Sequence, residues 1–263
     1  MNEQLKRIGL GTAAIFILLQ PLIASGQTAP DIVNQMLATY RSMQSLQVVS
    51  NAETYTVTGN KTTIIANSSR LIWQPPNHLL LVMQNPILGS TTVACDGSQV
   101  IVYHGLHSLY RRYSPAPGTP QDLYRLLTRT AQVIEPTPDS LLFALEGSLP
   151  PTIGSLTLIG SDNLNGHECY IIKSSMKIVQ QKAGAVLKMW IDKQTHLLMK
   201  ISLQLPPIPV KIFIPQKNHH FITQTVSQRL IIREWVVSTQ FNQPIPSKMF
   251  DLKLPKDAIL QTY

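Results

Sequence analysis

The stretch Ala185–Leu205, AVLKMWIDKQTHLLMKISLQL, decides how the chain is read. Ala185–Ile191 reads as a strand, Asp192–Thr195 as a turn and His196–Leu205 as a second strand. In the second strand Leu197, Met199, Ile201, Leu203 and Leu205 point one way, and His196, Lys200, Ser202 and Gln204 the other; Leu198 is the exception. A period of two gives one apolar face and one wetted face. An antiparallel sheet built this way must bury its apolar face against something. The pattern predicts a sheet covered by a few helices and, at times, by a lipid. On periodicity alone, Leu197, Met199, Ile201 and Leu203 are candidate residues of an apolar binding surface.

The same signal recurs on either side. Leu46–Val57 and Lys61–Gln74 read as strands rich in Val, Ile, Thr and Tyr, joined by a tight turn at Thr58-Gly59-Asn60. Gln74-Pro75-Pro76-Asn77 ends the second of these, because proline lacks a ladder donor. His78–Gln84, Thr91–Cys95, Gln99–His104 and Leu109–Tyr113 continue an antiparallel meander, with a hairpin at Asp96-Gly97-Ser98. Ser155–Ser161 and His167–Met176 flank Asn165-Gly166, a strong hairpin turn. Val210–Ile214 and Phe221–Val237 supply further strand, and Asp251–Leu254 a closing one. Pro206–His220 is too rich in proline for a central strand and reads as an edge or protruding loop.

Three helices punctuate the strands. Pro30–Met43 carries Ile32, Val33, Met36, Leu37, Tyr40 and Met43 at three-to-four spacing, with Asp31 beside Pro30 at its start. After the proline-rich break Ser114–Pro120, Gln121–Ala131 reads as a helix with Leu123, Leu126 and Leu127 on one side. Ser140–Glu146 reads as another, capped by Asp139 and edged by Leu141, Leu142 and Leu145. Both are too short to persist alone in water and depend on docking. A pair of apolar helices inside a meander reads as a lid, an insertion at about 118–148.

The first 26 residues read as a signal peptide. Lys6 and Arg7 precede an apolar run from Ile8 to Leu19, and Ala24-Ser25-Gly26 offers small residues for cleavage before Gln27. An uncleaved anchor is the alternative, but the run is shorter than the ~20 residues a spanning helix needs. No cysteine lies near the cleavage site, which excludes a bacterial lipid-attachment box. Residues 27–263 then form a single exported domain. Cleavage lowers the formal charge of +8 by one. The basic residues are dispersed, so nucleic acid is a poor partner; an anionic membrane surface and a merely soluble basic surface both remain open. Export permits a disulfide between Cys95 and Cys169, and two separate buried thiols remain the alternative.

No zinc-protease helix, phosphate loop or serine-hydrolase elbow is present. His104 with His107, and His219 with His220, lack matching metal ligands nearby. Tyr110-Arg111-Arg112-Tyr113 reads either as a phosphate contact or as a solvated strand edge. With no catalytic residues, metal or cofactor to nominate, the chain reads as a non-enzymatic binder.

Four segments carry a family resemblance. MLATYRSMQSL at Met36–Leu46 looks like a first helix entering a first strand. LIWQPPNHLLL at Leu71–Leu81 resembles a strand, a proline-asparagine turn and a return strand. CDGSQVIVY at Cys95–Tyr103 is similar to an aspartate-glycine hairpin, and MFDLKLP at Met249–Pro255 to a closing strand and proline. Trp190-Ile191-Asp192 with Lys200 is also common in such proteins. In this order the segments resemble the periplasmic outer-membrane lipoprotein carriers of the LolA type and their exported relatives of unknown function.

The resemblance implies a mainly β fold with a few α-helices: an unclosed antiparallel β-barrel, or half-barrel, of about ten or eleven strands with helices covering its concave face. It implies a periplasmic monomer that holds lipid or lipoprotein acyl chains in the cavity, a transport role in outer-membrane biogenesis. By position Leu79, Leu81 and Met83 match cavity-facing residues. Related half-barrels act in envelope-stress sensing on a membrane-anchored regulator, which is the second implied function. One position departs: the carriers have a lid-locking arginine before the proline-asparagine pair, where this chain has Pro75, and the nearest arginine is Arg70. The likeness is therefore to the exported relatives more than to the carrier itself.

Overall fold

Helix α1, Ala29–Arg41, begins one residue before the expected Pro30. Thr28 is the cap: its hydroxyl accepts from the Asp31 N–H, and the Asp31 carboxylate accepts from the Thr28 N–H at 3.2 Å. Asp31 is thus the reciprocal partner of a capping box, not the cap itself. Ile32, Val33, Met36, Leu37 and Tyr40 form the buried face of the helix. In this computed structural model the described residues are 27–119, 122, 123, 126, 149, 152–177, 184–215 and 221–261. Leu127, Leu141, Leu142, Leu145 and most of the expected lid lie outside them, as do His219 and His220.

Among the described residues thirteen strands follow: β1 Leu46–Thr58, β2 Lys61–Gln74, β3 His78–Asn85, β4 Gly89–Asp96, β5 Val100–His104, β6 Leu109–Tyr113, β7 Ile153–Leu164, β8 His167–Met176, β9 Ala185–Asp192, β10 Leu198–Gln204, β11 Ile208–Pro215, β12 Phe221–Phe241 and β13 Ile259–Leu260. They form one sheet in the order β13-β6-β5-β4-β3-β2-β1-β12-β10-β9-β8-β7, with β11 paired to β12 off this path. The sheet is large and unclosed. Long β12 joins its two meanders by pairing with both β1 and β10.

The turns form where their residues permit them. Asn165 and Gly166 take φ of 53° and 90°, the left-handed pair that a two-residue hairpin needs. Pro209 is accommodated because β11 is an edge strand, pairing on one side only with β12. Ile208–Pro215 is therefore strand, and the expected edge position holds for this part of Pro206–His220. Asp251–Leu254 is not a strand: Ser247–Phe250 is a 3-10 turn, and the chain closes with β13 running parallel to β6.

The hairpin β9–β10 also differs from plain alternation. Leu197 lies in the turn, where its carbonyl accepts from the Asp192 N–H. The register shifts between Leu198 and Lys200, a bulge that lets Leu197 and Leu198 both be buried. This is why Leu198 broke the pattern. Asp192 fixes the turn: Oδ1 accepts from the N–H of Gln194 at 2.9 Å and of Thr195 at 2.6 Å, and Oδ2 from His167 Nδ1 at 2.8 Å. Asp96 does the same for the β4–β5 turn, accepting from Ser98 and Gln99.

Burial would raise both carboxyls, but these donors outweigh it. They pull Asp96 down to about 2 and hold Asp192 below its ordinary value. A depressed folded-state value means that the stabilisation is complete above the unfolded value of 3.8 and is lost as pH falls through the folded one. Urea midpoints are expected to hold level down to about pH 5 and to fall from about pH 4 toward pH 2. Asp96→Asn with Asp192→Asn should flatten that decline.

Cys95 on β4 and Cys169 on β8 are both buried and both free. The two strands are separated by most of the sheet, so the alternative of two separate thiols describes this structure. Burial pushes the Cys169 thiol up to about 11 and the Cys95 thiol in the same direction. A thiol-reactive disulfide reagent should label neither in the native protein and both after unfolding.

Candidate functional site

Residues paired across a sheet share a face, so the registers define the inward surface strand by strand. One row crosses the sheet as Leu46, Trp73, Leu79, Cys95, Val100 and Tyr113. The next runs Val48, Leu71, Leu81, Val93, Val102 and Arg111. The other meander continues the surface with Leu203 beside Leu187 and Ile201 beside Met189. Leu79, Leu81, Met83 and Leu197 are buried in one apolar cluster, and Met199, Ile201 and Leu203 pack against it. The two groups of residues singled out by sequence thus meet on one face, contributed by strands on opposite sides of β1 and β12.

Two further parts of the chain pack with these residues. Helix α1 packs on β7 and β9. The Tyr40 hydroxyl oxygen accepts from the Leu198 N–H at 3.2 Å. Burial pushes the Tyr40 phenol far above its ordinary value, an effect opposed by the Leu198 bond and reinforced by the charge of Glu234, so it stays neutral. Ala116, Leu123, Leu126 and Leu149, from the chain between β6 and β7, join the same cluster. Asn77 ties the start of that segment down, donating from Nδ2 to the Pro117 carbonyl at 2.9 Å and to the Gly97 carbonyl at 3.3 Å.

Arg70 pairs with Val49 and Val82 and is exposed on the opposite face, so it does not stand in for the arginine absent at Pro75. Arg111 shares the inward phase of Val102 and its Nε donates to Gln261 at 2.9 Å. Arg112 is exposed, 6.0 Å above the Tyr110 ring. His104 pairs with Thr91, whose hydroxyl is 3.3 Å from Nδ1. Burial, with the positive charges of Arg111 and His107, lowers its value and keeps the imidazole neutral near pH 7. Among the described residues no group of three metal-binding side chains occurs.

One part of the surface was not anticipated. Beyond the apolar rows the inward residues turn polar: Ser50 opposite Ser69, then Ala52 opposite Asn67 on one side and Glu234 on the other. Ser50 Oγ donates to Glu234 Oε1 at 2.7 Å, and the two serine oxygens are 2.7 Å apart. Because Ser50 has one proton and gives it to the carboxylate, Ser69 must be the donor to Ser50. Asn67 is 7% exposed and neither its Oδ1 nor its Nδ2 has a hydrogen-bond partner. Leaving such a group unpaired costs about 1–3 kcal/mol. The signal was present in β2, where the inward phase reads Trp73, Leu71, Ser69, Asn67 and so changes character midway.

No curated protein matches the chain. Solved structures with a likeness to it include the Mycobacterium tuberculosis lipoprotein LppX, at 13% identity and a TM-score of 0.43, covering 83% of this chain and 98% of that one. A LolA superfamily protein from Nitrosomonas europaea has 10% identity and a TM-score of 0.29, covering 86% and 98%. The Pseudomonas aeruginosa MucA/MucB complex has 11% identity and a TM-score of 0.40, covering 86% and 61%. Residues 29–260 match the model of one family, and the chain belongs to it: the family described as predicted periplasmic protein (DUF2092).

Proposed function

We propose that the protein is a non-enzymatic, periplasmic binder of acyl chains, monomeric after removal of residues 1–26, which holds a lipid or lipoprotein tail on its inward face. The observation that carries this is how that face is covered. Helix α1 has 13 residues, a length of about 20 Å. Strands lie ~4.8 Å apart, so one such helix spans only part of a sheet this wide. The same apolar cluster includes Leu123, with Leu126 packed against it, from a segment with proline-rich flanks. A tail enters as that segment lifts. Each buried methylene contributes about 0.8 kcal/mol, so burying half of a palmitoyl tail contributes roughly 6 kcal/mol toward displacing it.

Titration with N-phenyl-1-naphthylamine, an uncharged apolar fluorophore, tests the proposal. Saturable uptake that long-chain amphiphiles reverse is the expected result; fluorescence that never saturates, or that no amphiphile displaces, contradicts it. A second reading, docking of a membrane-anchored protein, is favoured by one feature: β7 ends the sheet and exposes Leu158 and Ile159. Recovery of one membrane regulator on immobilised protein, with no acylated cargo, would favour that reading.

A further inference from the structure

We propose that the ribbon formed by β11 and the outer end of β12 docks the protein on an anionic phospholipid surface. Such docking goes beyond the acyl-binding reading above and holds whether or not the inward face carries a tail.

β12 pairs with β1 only as far as Gln228, which lies opposite Thr58. From Ser227 to Phe221 its partner among the described strands is β11 alone. β9 does not reach β11, since its pairing with β10 ends at Gln204. A two-stranded ribbon therefore runs about 20 Å past the β1–β2 turn, at ~3.4 Å per residue. Such a ribbon is marginal in water by itself, and this one has no strand beside it among those described. Its two faces differ. Ile208, Val210, Ile212, Ile214, Ile222 and Val226 share one register phase, and Lys211 lies on the other. Gln228 belongs to the same phase as Leu230 and Ile232, so the ribbon carries the inward phase of the sheet beyond its rim. Ile208 is 39% exposed, and Val210 and Val226 are half-buried. At the joint a cavity of about 110 Å³, lined by Thr56, Leu205, Ile208 and Leu230 among others, links the two apolar surfaces.

Charge identifies the occupant. From Lys193 to Arg233 the sequence has Lys193, Lys200, Lys211, Lys217, Arg229 and Arg233 but no Asp or Glu. From Thr54 to Cys95 it has Lys61 and Arg70 and again no acid. Lys211 is exposed on the ribbon and Arg229 at its base. Lys61 is exposed beside the β1–β2 turn, opposite Thr58 and so level with Gln228. Back along β1 the first carboxylate is Glu53, which lies opposite Arg233. A second copy adding a strand to the ribbon is disfavoured, because Pro209 and Pro215 lack ladder donors and Lys211 interrupts the edge. An apolar face beside exposed cations fits an anionic bilayer surface, where apolar burial and charge attraction add.

The test is flotation of the full mature chain with vesicles of phosphatidylglycerol and phosphatidylethanolamine, against vesicles of phosphatidylcholine alone. The expected result is association about tenfold or more tighter with the anionic vesicles, weakening as salt is raised. Each cation near such a surface contributes about fivefold, so Lys211→Glu with Arg229→Glu should lower that association about tenfold or more. Lys173→Glu with Lys188→Glu, a charge-matched reversal of a cross-strand pair on β8 and β9, should change it by less than about threefold. Val210→Ser with Val226→Ser, also cross-strand neighbours, should weaken it about fivefold. A second measurement reads insertion directly. Both native thiols are buried, so acrylodan attached to Val226→Cys reports the ribbon alone. Its emission should shift to the blue on anionic vesicles, and that of Thr157→Cys, exposed on β7, should not. Equal losses from the two charge reversals, or an unshifted dye at Val226→Cys, overturn the docking and leave acyl binding intact, since probe uptake is read without vesicles. A concentration-dependent dimer that forms through the ribbon and excludes vesicles also overturns it.

Discussion

Leu81→Ala is expected to lower the unfolding free energy by about 2–5 kcal/mol, the cost of a cavity at a site that cannot collapse. Leu81 is 2% exposed and lies in the middle of an inward row, with Leu71 and Val93 as its cross-strand neighbours. Leu80, one residue away, pairs with Ile72 and Ala94 on the other face and is half-buried. Leu80→Ala should therefore cost distinctly less. Urea denaturation of the two variants reads this directly. Equal losses would mean that the inward face assigned from the registers is not the main core.

Leu203→Asp should abolish probe uptake, at least a tenfold loss of affinity, or about 1.4 kcal/mol. Leu203 is half-buried beside Leu187 and Ile232, where a carboxylate finds no partner and repels a tail. Leu203→Trp, which fills the same space without a charge, should give a similar loss. Gln204→Asp, exposed and on the opposite phase, should bind as the parent does. Far-ultraviolet circular dichroism would verify that each variant keeps its sheet. Uptake by Leu203→Asp equal to that of Gln204→Asp would remove β10 from the binding face.

What could be read from residues alone was set by local chemistry. The hairpin at Asn165-Gly166 was legible because a left-handed pair is encoded in two residues. The strands Lys61–Gln74 and Leu109–Tyr113 fall where their alternation and flanking turns put them. The features that escaped depend on distant partners. Leu197 and Leu198 share a turn and a bulge that only the register with β9 defines. β13 has two residues and exists only because β6 offers it an open edge. Pro209 argued only against a central strand, and β11 pairs with β12 alone among the described strands, but its start at Ile208 depends on that distant partner.

The functional surface divides in the same way. Its apolar residues were legible in two ways, Met199 and Ile201 through periodicity and Leu79, Leu81 and Met83 through their position in the family resemblance. Its polar margin did not, because Ser50, Asn67 and Glu234 are ordinary surface types that become unusual only when buried side by side. Ser50 and Glu234 are 184 positions apart in the chain, and no local pattern predicts that they meet.

The most direct measurement is mass spectrometry of solvent extracts from protein exported to a bacterial periplasm and purified without detergent. The account predicts close to one equivalent of acyl-bearing molecule per chain, lost when Leu203→Asp is purified the same way. Protein that is lipid-free in repeated preparations, and that then fails to take up N-phenyl-1-naphthylamine, would contradict it.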